Sequence, residues 1–445
     1  MDLAKLIQIL IFVLVNIAVF FFAGKKYYQI YKNIQLGKDW DKIDNPSERF
    51  KRMMLVAFGQ KKMFKEIFPA LLHLCIYTAF VITQIELIEI YIDGLTGGHR
   101  TLYYAFENIT ILKGLYVFVI NMIEFLSVFA FLATLIFLYR RNLLKVPRLV
   151  KVPEMNGWPK LDANLILFGE LFLVTCIFLM NGADQAIHHN SYPFVLSGFV
   201  GSLLSGLSEG TLHVLEKLGW WGHIFGVLGF IIYLPFSKHL HILFAFPNVY
   251  LSSLHKKGYI NNMESVTKEI KLMMNPDTAF AAPAEGAEAE IPTFGAKDVF
   301  DLKKQNLLAA YSCTECGRCT EQCPAAQTGK KLSPRKVMMD TRDRVEEVAL
   351  NIRTNGVFVD DGKGLIGDEK ISVEELRACT TCNACVEACP VMISPLDIII
   401  QLRRNLILEQ SNSPEEWNVM FGNIENNGAP WKFSPQDRFN WANEN

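Results

Sequence analysis

Five long apolar runs, all before residue 250, decide most of what this chain can fold into: Leu3–Ala23, Ile67–Ile92, Gly114–Tyr139, Ala163–Asn181 and Leu218–Phe246. Crossing roughly 30 Å of hydrocarbon takes about 20 helical residues. No water reaches the backbone there, so each run must satisfy its own N–H and C=O groups as a helix. Residues 1–262 are therefore expected to form a five-helix transmembrane bundle. A sixth stretch, Phe194–Leu207, is too short to span and is rich in Gly and Ser, so it reads as interfacial or re-entrant. The first run lacks a basic leader, and its apolar core is too long for a cleaved signal peptide.

The connecting segments set an orientation. Eleven Lys and Arg lie between Lys25 and Lys65, and six more between Arg140 and Lys160. The other two connections carry only Arg100, Lys113 and Lys217. Basic segments stay in the cytoplasm, so the expected topology is a multi-pass protein of the cytoplasmic membrane with its N-terminus outside. The net charge of −1 and the lack of a polybasic tract give no sign of a nucleic-acid partner.

The second half of the chain is polar and holds eight of the ten cysteines. They form two copies of C-x2-C-x2-C-x3-C-P: Cys313, Cys316, Cys319, Cys323 with Pro324, and Cys379, Cys382, Cys385, Cys389 with Pro390. This is the bacterial ferredoxin run for [4Fe–4S] clusters, in which the fourth cysteine ligates the other cluster. One cluster is thus expected on Cys313, Cys316, Cys319 and Cys389, the other on Cys379, Cys382, Cys385 and Cys323. Structural zinc uses paired C-x2-C units and would leave half of each run, and both prolines, without a purpose. Thiolate ligands need a reducing compartment, which again places this half in the cytoplasm.

An Ala/Glu/Pro-rich segment within residues 263–297 reads as a linker. The cluster domain follows at 298–410, and a tail at 411–445. Between the two cysteine runs lie 55 residues, Pro324–Ala378, more than a small ferredoxin needs. Ser333-Pro334 and Ser394-Pro395 are helix starts, Ser at the N-cap and Pro at N1. They predict helices over Arg335–Leu350 and Leu396–Leu408. The fold class expected is all-α, the transmembrane bundle followed by a soluble α-helical ferredoxin domain.

Histidines within the apolar runs are candidate cofactor ligands, because ionisable residues in a membrane are costly and usually functional. On a continuous helix His223 and His241 lie five turns apart on one face, with His239 turned toward lipid headgroups or water. His73 lies about as deep as His241, so the two could clamp one haem iron from both faces. Gly222, Gly226 and Gly229 leave room for a planar ligand or for close helix packing. Glu86, Glu89, Glu124 and Glu170 are candidates for proton relay, or for hydrogen bonds between helices; for Glu89, simple exposure at the interface is a further possibility.

The run Leu234-Pro235-Phe236-Ser237-Lys238-His239-Leu240-His241, then Pro247, resembles the end of the fifth helix in the gamma subunit of respiratory nitrate reductase and its relatives. That family has five helices and two b-type haems. The resemblance implies a cytoplasmic-side haem between His73 and His241 and an outer haem on His223. The family's second histidine on the second helix falls at Thr83 here, so His188 or His189 is the candidate opposite His223.

The cluster half resembles the α-helical ferredoxin domain of heterodisulfide reductases, anaerobic glycerol-3-phosphate dehydrogenase and succinate dehydrogenase. Its tail, from Glu416-Trp417 to Pro430-Trp431, resembles the segment leading into the CCG domains of heterodisulfide-reductase-like proteins, although no Cys-Cys-Gly follows. The joint resemblance implies an electron-transfer subunit of a quinone-linked oxidoreductase. It would work with a CCG-domain subunit and with an electron-transfer flavoprotein or a dehydrogenase. A redox sensor or assembly factor, or the anchor of a nitrate-reductase-type complex, are the rival readings.

Overall fold

The computed structural model of the protein describes residues 3–41, 43–188, 192–275 and 293–443. The apolar runs become α1 (Leu3–Ile34), α2 (Ile67–Thr96), α3 (Thr110–Asn142), α4 (Trp158–Ile187) and α6 (Glu209–Tyr233), with a shorter helix, α5 (Val195–Leu204), between the last two. Five of these are long and apolar enough to cross a membrane. The turns between them follow ordinary capping chemistry. Gly97 takes the left-handed conformation that ends α2, and the Ser208 hydroxyl accepts the Thr211 N–H to start α6.

The five long helices close into a ring: α1 on α2, α2 on α3, α3 on α4, α4 on α6, and α6 back on α1. Backbone contacts run around the ring and scarcely cross it. The α4–α6 seam is the closest. A Cβ at Gly219 would lie 2.6 Å from the Met180 nitrogen and 2.7 Å from the Cys176 oxygen. Gly222 and Gly226 face Cys176, Phe172 and Leu173 on α4, so this part of the glycine row serves helix packing. Gly229 alone of the row faces open space.

Two runs end differently from the sequence expectation. The first does not stop at Ala23: α1 continues to Ile34, and Ile30 and Ile34 are buried in one core with Val299, Leu302, Leu307 and Val337. The fifth does not reach Phe246. The helix stops at Tyr233, two single 3-10 turns follow (Leu234–Phe236 and Lys238–Leu240), and α7 (His241–Leu251) begins afresh. Ser237 is extended at the break, with φ −119° and ψ 151°. Buried Asp162 holds it there, accepting the Tyr233 hydroxyl and, at 3.1 Å, the Lys238 N–H. Pro235 brings no N–H with which to continue a helix. His223 and His241 therefore do not share one helical face.

Beyond α7 comes α8 (Glu264–Met274); residues 276–292 of the linker lie outside the described residues. The packed domain resumes slightly before Asp298, where Ala296 is buried and its N–H donates to the Gln401 carbonyl at 2.9 Å. Its principal helices are α9 (Lys304–Tyr311), α10 (Pro334–Asn355), α11 (Pro395–Leu408) and α12 (Glu415–Asn427). Ser333 and Ser394 cap α10 and α11 through the Lys336 and Asp397 N–H groups, each at 3.3 Å. Among the described residues there is no strand, only two isolated bridges. The all-α expectation is borne out.

Gly219→Ala should lower the thermal unfolding midpoint in detergent, because both obstructing atoms are backbone and overpacking costs about 1–3 kcal/mol. Gly229→Ala should leave the midpoint unchanged or raised, since it gains helix propensity without a clash.

Candidate redox site

The two cysteine runs adopt the same backbone. In the first, Glu315 and Gly317 take positive φ (54° and 77°); in the second, Thr381 and Asn383 do (57° and 62°). Each run then enters one short helix, Arg318–Glu321 or Ala384–Ala388, and its last cysteine is extended ahead of proline. The left-handed residues coil the chain so that N–H groups turn toward sulfur: Thr381 N–H lies 3.4 Å from Cys379 Sγ, and Ile393 N–H 3.3 Å from Cys389 Sγ. Gly317 has a second reason to be glycine, because a Cβ there would lie 2.6 Å from Arg335.

The fold interleaves the runs. One cavity is lined by Cys313, Cys316, Cys319 and Cys389. Cys379 and Cys385 lie within electrostatic reach of Cys323 and Cys382. Burial pushes the Cys313 and Cys385 thiols up to about 12 and Cys389 up to about 11. Thiolates so disfavoured on their own need the positive charge of bound metal.

The first cavity is pinned against one end of the helical ring. Arg318, next to Cys319, donates to the Met63 carbonyl at 3.3 Å and pairs with Glu66 at 3.1 Å. Arg335, fully buried, donates to the Arg148 carbonyl at 2.6 Å and to Glu154 at 2.9 Å. Asn248 on α7 donates to the Val391 carbonyl at 2.7 Å, and the Ser312 hydroxyl to the Phe244 carbonyl at 3.2 Å. Glu315 is the hub: it pairs with Lys238 from the break after α6 and with Arg342 from α10 at 2.9 Å. Burial pushes Glu315 up, but these two cations outweigh it and hold its carboxyl below the usual range.

Three histidines gather at this same end. His73 and His241 lie within electrostatic reach of each other, with Arg318 nearby. His73 Nδ1 is 3.1 Å from the Gln60 side-chain oxygen, and His241 Nδ1 is 3.0 Å from the Lys238 carbonyl. Oxygen acceptors at Nδ1 fix the tautomer that offers Nε2 to a metal. His239 does not face headgroups or water. Its ring lies 5.6 Å from that of His241 and 5.9 Å from Phe230, and Nε2 is 3.9 Å from Glu170, which also accepts from Thr134 at 3.2 Å. The break after Tyr233 causes this, since it removes the helical phase that would have turned His239 outward.

His223 stands apart, its Nδ1 3.2 Å from the Leu173 carbonyl of α4. His188 comes some fifteen residues later on α4, about 22 Å of helix at 1.5 Å per residue. The pairing of His188 with His223 is overturned by that distance; His189 lies outside the described residues. Thr83 hydrogen-bonds its own helix, at the Phe80 carbonyl.

The other carboxylates divide by partner. Glu124 accepts the Leu196 and Ser197 N–H groups at 2.9 and 3.2 Å together with the Ser197 hydroxyl, and so caps the start of α5. Glu89 is buried rather than exposed, held by the Leu102 and Tyr103 N–H groups and the Tyr116 hydroxyl. Glu86 accepts from Asn181 at 2.8 Å. Between them lies Arg100, which donates to Asn181 at 2.6 Å and to Asp184 at 3.2 Å. Sequence reasoning missed Arg100, Asp184 and Gln60. Only the rarity of basic residues in its connection marked Arg100, and nothing marked Gln60.

Comparison with known proteins agrees with this geometry. Residues 312–393 match the 4Fe-4S dicluster domain family. The chain is 28% identical over 442 residues to a probable iron-sulfur-binding oxidoreductase, FadF, of Bacillus subtilis, covering 92% of this chain and 57% of that protein. It is 28% identical over 273 residues to the EtfAB:quinone oxidoreductase of Syntrophomonas wolfei (57% of this chain, 34% of that one). A probable membrane-anchored ferredoxin of Chromohalobacter salexigens is 33% identical over 167 residues, or 35% of this chain and 25% of its own. The chain thus spans little more than half, or less, of each of these relatives. No solved structure gives a significant match. The cysteine-bearing domain is a [4Fe–4S] domain, and its relatives are iron–sulfur electron-transfer oxidoreductases.

Glu315→Gln should destabilise the protein by about 3–5 kcal/mol, because it leaves Lys238 and Arg342 with their buried carboxylate removed. A thermal unfolding midpoint equal to that of the parent protein would contradict the role given to Glu315.

Proposed function

We propose that the protein is a membrane-bound electron-transfer subunit that passes electrons between a cytoplasmic redox partner and the quinone pool. In this reading Cys313, Cys316, Cys319 and Cys389 hold one [4Fe–4S] cluster, Cys379, Cys382, Cys385 and Cys323 hold the second, and His73 and His241 hold one b-type haem. These groups, when bound, supply one-electron transfer. The chain's part is to hold them in order. Gln60 and the Lys238 carbonyl orient the imidazoles, and Arg318, Arg335 and Glu315 fix the cysteine cradle against the bundle.

One observation carries the reading. The segment that supplies Gln60 to His73 also supplies Lys62, which lies within electrostatic reach of Cys389 and donates to the Val386 carbonyl at 3.2 Å. One short loop therefore touches both the cysteine cavity and the histidine pair.

The basic segments support a cytoplasmic cysteine domain and an N-terminus outside. The likeness to the EtfAB:quinone oxidoreductase of Syntrophomonas wolfei supports quinone and an electron-transfer flavoprotein as the two ends of the path. α12 and the segment after it expose Trp417, Trp431 and Trp441, a surface suited to a heterodisulfide-reductase-like partner.

Anaerobically purified protein should carry about eight cluster irons and a b-haem spectrum that dithionite reduces. His73→Ala and His241→Ala should each remove the haem while leaving the cluster iron in place. Full haem content in the His241→Ala protein would contradict the pairing. A haem that no quinol analogue reduces, with the complete complex present, would instead favour a redox sensor.

A further inference from the structure

At the end of the bundle far from the cysteines, two elements bring three metal-ligating side chains together. Asp184 and His188 are one turn apart at the end of α4, so they share a face. His99 comes from the connection after α2, where left-handed Gly97 and Arg100 (φ 66° and 49°) fold the chain back over α4. One ligand atom from each of the three lies within 4.8 Å of the others, and they are the one such group among the described residues.

The contacts inside the group are close. His99 Nε2 stands 3.0 Å from Asp184 Oδ1, and His188 Nδ1 stands 2.9 Å from the same oxygen, with the imidazoles stacked 5.4 Å apart. Yet Asp184 Oδ1, on a side chain almost wholly buried, accepts no hydrogen bond of sound geometry among the described residues. His99 Nε2 also stands 3.4 Å from the Tyr192 hydroxyl and His188 Nδ1 3.0 Å from the Asp184 backbone carbonyl, so the three side chains are already gathered by polar contacts. Ligand atoms bound to one tetrahedral ion at ~2.0 Å would stand about 3.3 Å apart, close to what is seen.

The surroundings favour an added cation. Arg100 is the one buried positive charge facing three buried carboxylates: Glu86 at 3.8 Å, Glu89 at 3.9 Å and Asp184 at 3.2 Å. A cavity lined by His99, Asp184, Arg100, Glu89, Glu216 and Lys217 opens beside the group and leaves room for a further ligand or water; Lys217 is half-exposed and pairs with Glu216 at 3.2 Å.

We propose that His99, Asp184 and His188 form a binding site for one zinc-like divalent transition-metal ion, with a fourth position open to the cavity. Two imidazoles and a carboxylate are the donor set such ions prefer. The ion tethers the connection after α2 to the end of α4 and so fixes Arg100 among its carboxylates. The site is independent of the cysteines and of His73 and His241.

The full chain with its clusters in place, stripped of loosely held metal with a chelator, should be titrated with Co2+. The expected result is one Co2+ per chain, with visible d–d bands and without the near-ultraviolet band of cobalt–thiolate bonding. His99→Ala and His188→Ala, both at half-exposed positions, should each weaken binding at least tenfold and leave the cluster spectrum unchanged. X-ray absorption of the cobalt-loaded parent protein should show only nitrogen and oxygen neighbours. Absence of binding, a thiolate band, sulfur neighbours, or an affinity that neither variant alters would overturn the proposal. In those cases the group is an ion pair between His99 and Asp184, with His188 bonded to the Asp184 carbonyl 3.0 Å away.

Discussion

Ile30 and Ile34, on the part of α1 that leaves the ring, are buried in the same core as the helices that carry the cysteines. The rest of the molecule depends on that shared core. It holds the cysteine domain against the bundle through apolar burial, the non-directional term that contributes most to folding. The directional contacts then set the register. Gly37 fits under the Leu302 carbonyl, and the Lys38 N–H donates to that carbonyl at 2.8 Å. Without the core, the ion pairs of Glu315, Arg318 and Arg335 would have to hold the domain alone. Isolated pairs seldom do, since taking charges out of water costs much of what their attraction returns.

The same arrangement explains the irregular backbone after α6. A straight helix would have carried residues 234–246 through the end of the bundle and left the Lys238 ammonium no route to Glu315. The break at Ser237, tied down by Asp162, turns Lys238 toward the cysteine domain and leaves its carbonyl facing His241 Nδ1. Charge, backbone and imidazole orientation are thus settled by one short segment. At the far end the logic is inverted. There Arg100, Glu86, Glu89, Asn181 and Asp184 form a buried polar network within the ring, and Tyr116 and Tyr103 close it.

Much of this was legible in the sequence. Helices in a membrane announce themselves by length and hydropathy, and the doubled cysteine pattern is specific because its spacing is the geometry of ligation. Ser-Pro pairs located α10 and α11 for the same local reason. What escaped was tertiary. Apolar residues on both sides of Ser237-Lys238-His239 made the fifth run look continuous to Phe246, whereas the break depends on Asp162 from another helix. The exit of α1 into a second core was hidden because residues 24–34 are polar on all but one face. Gln60 and Asp184 gain meaning only from partners far away in the chain, and the His188 candidate opposite His223 failed because spacing along one helix says nothing about which residues stand opposite.

The account turns on the cysteine cavity lying beside the His73–His241 pair, so that electrons can leave one for the other. The most direct measurement is the electron spin relaxation of the reduced cluster proposed on Cys313, Cys316, Cys319 and Cys389, followed with the proposed haem trapped first oxidised, then reduced. Paramagnetic ferric haem beside the cluster should speed its relaxation markedly, and reduction to the diamagnetic ferrous form should abolish the effect. Relaxation that is the same in both states would place the haem elsewhere and contradict the account.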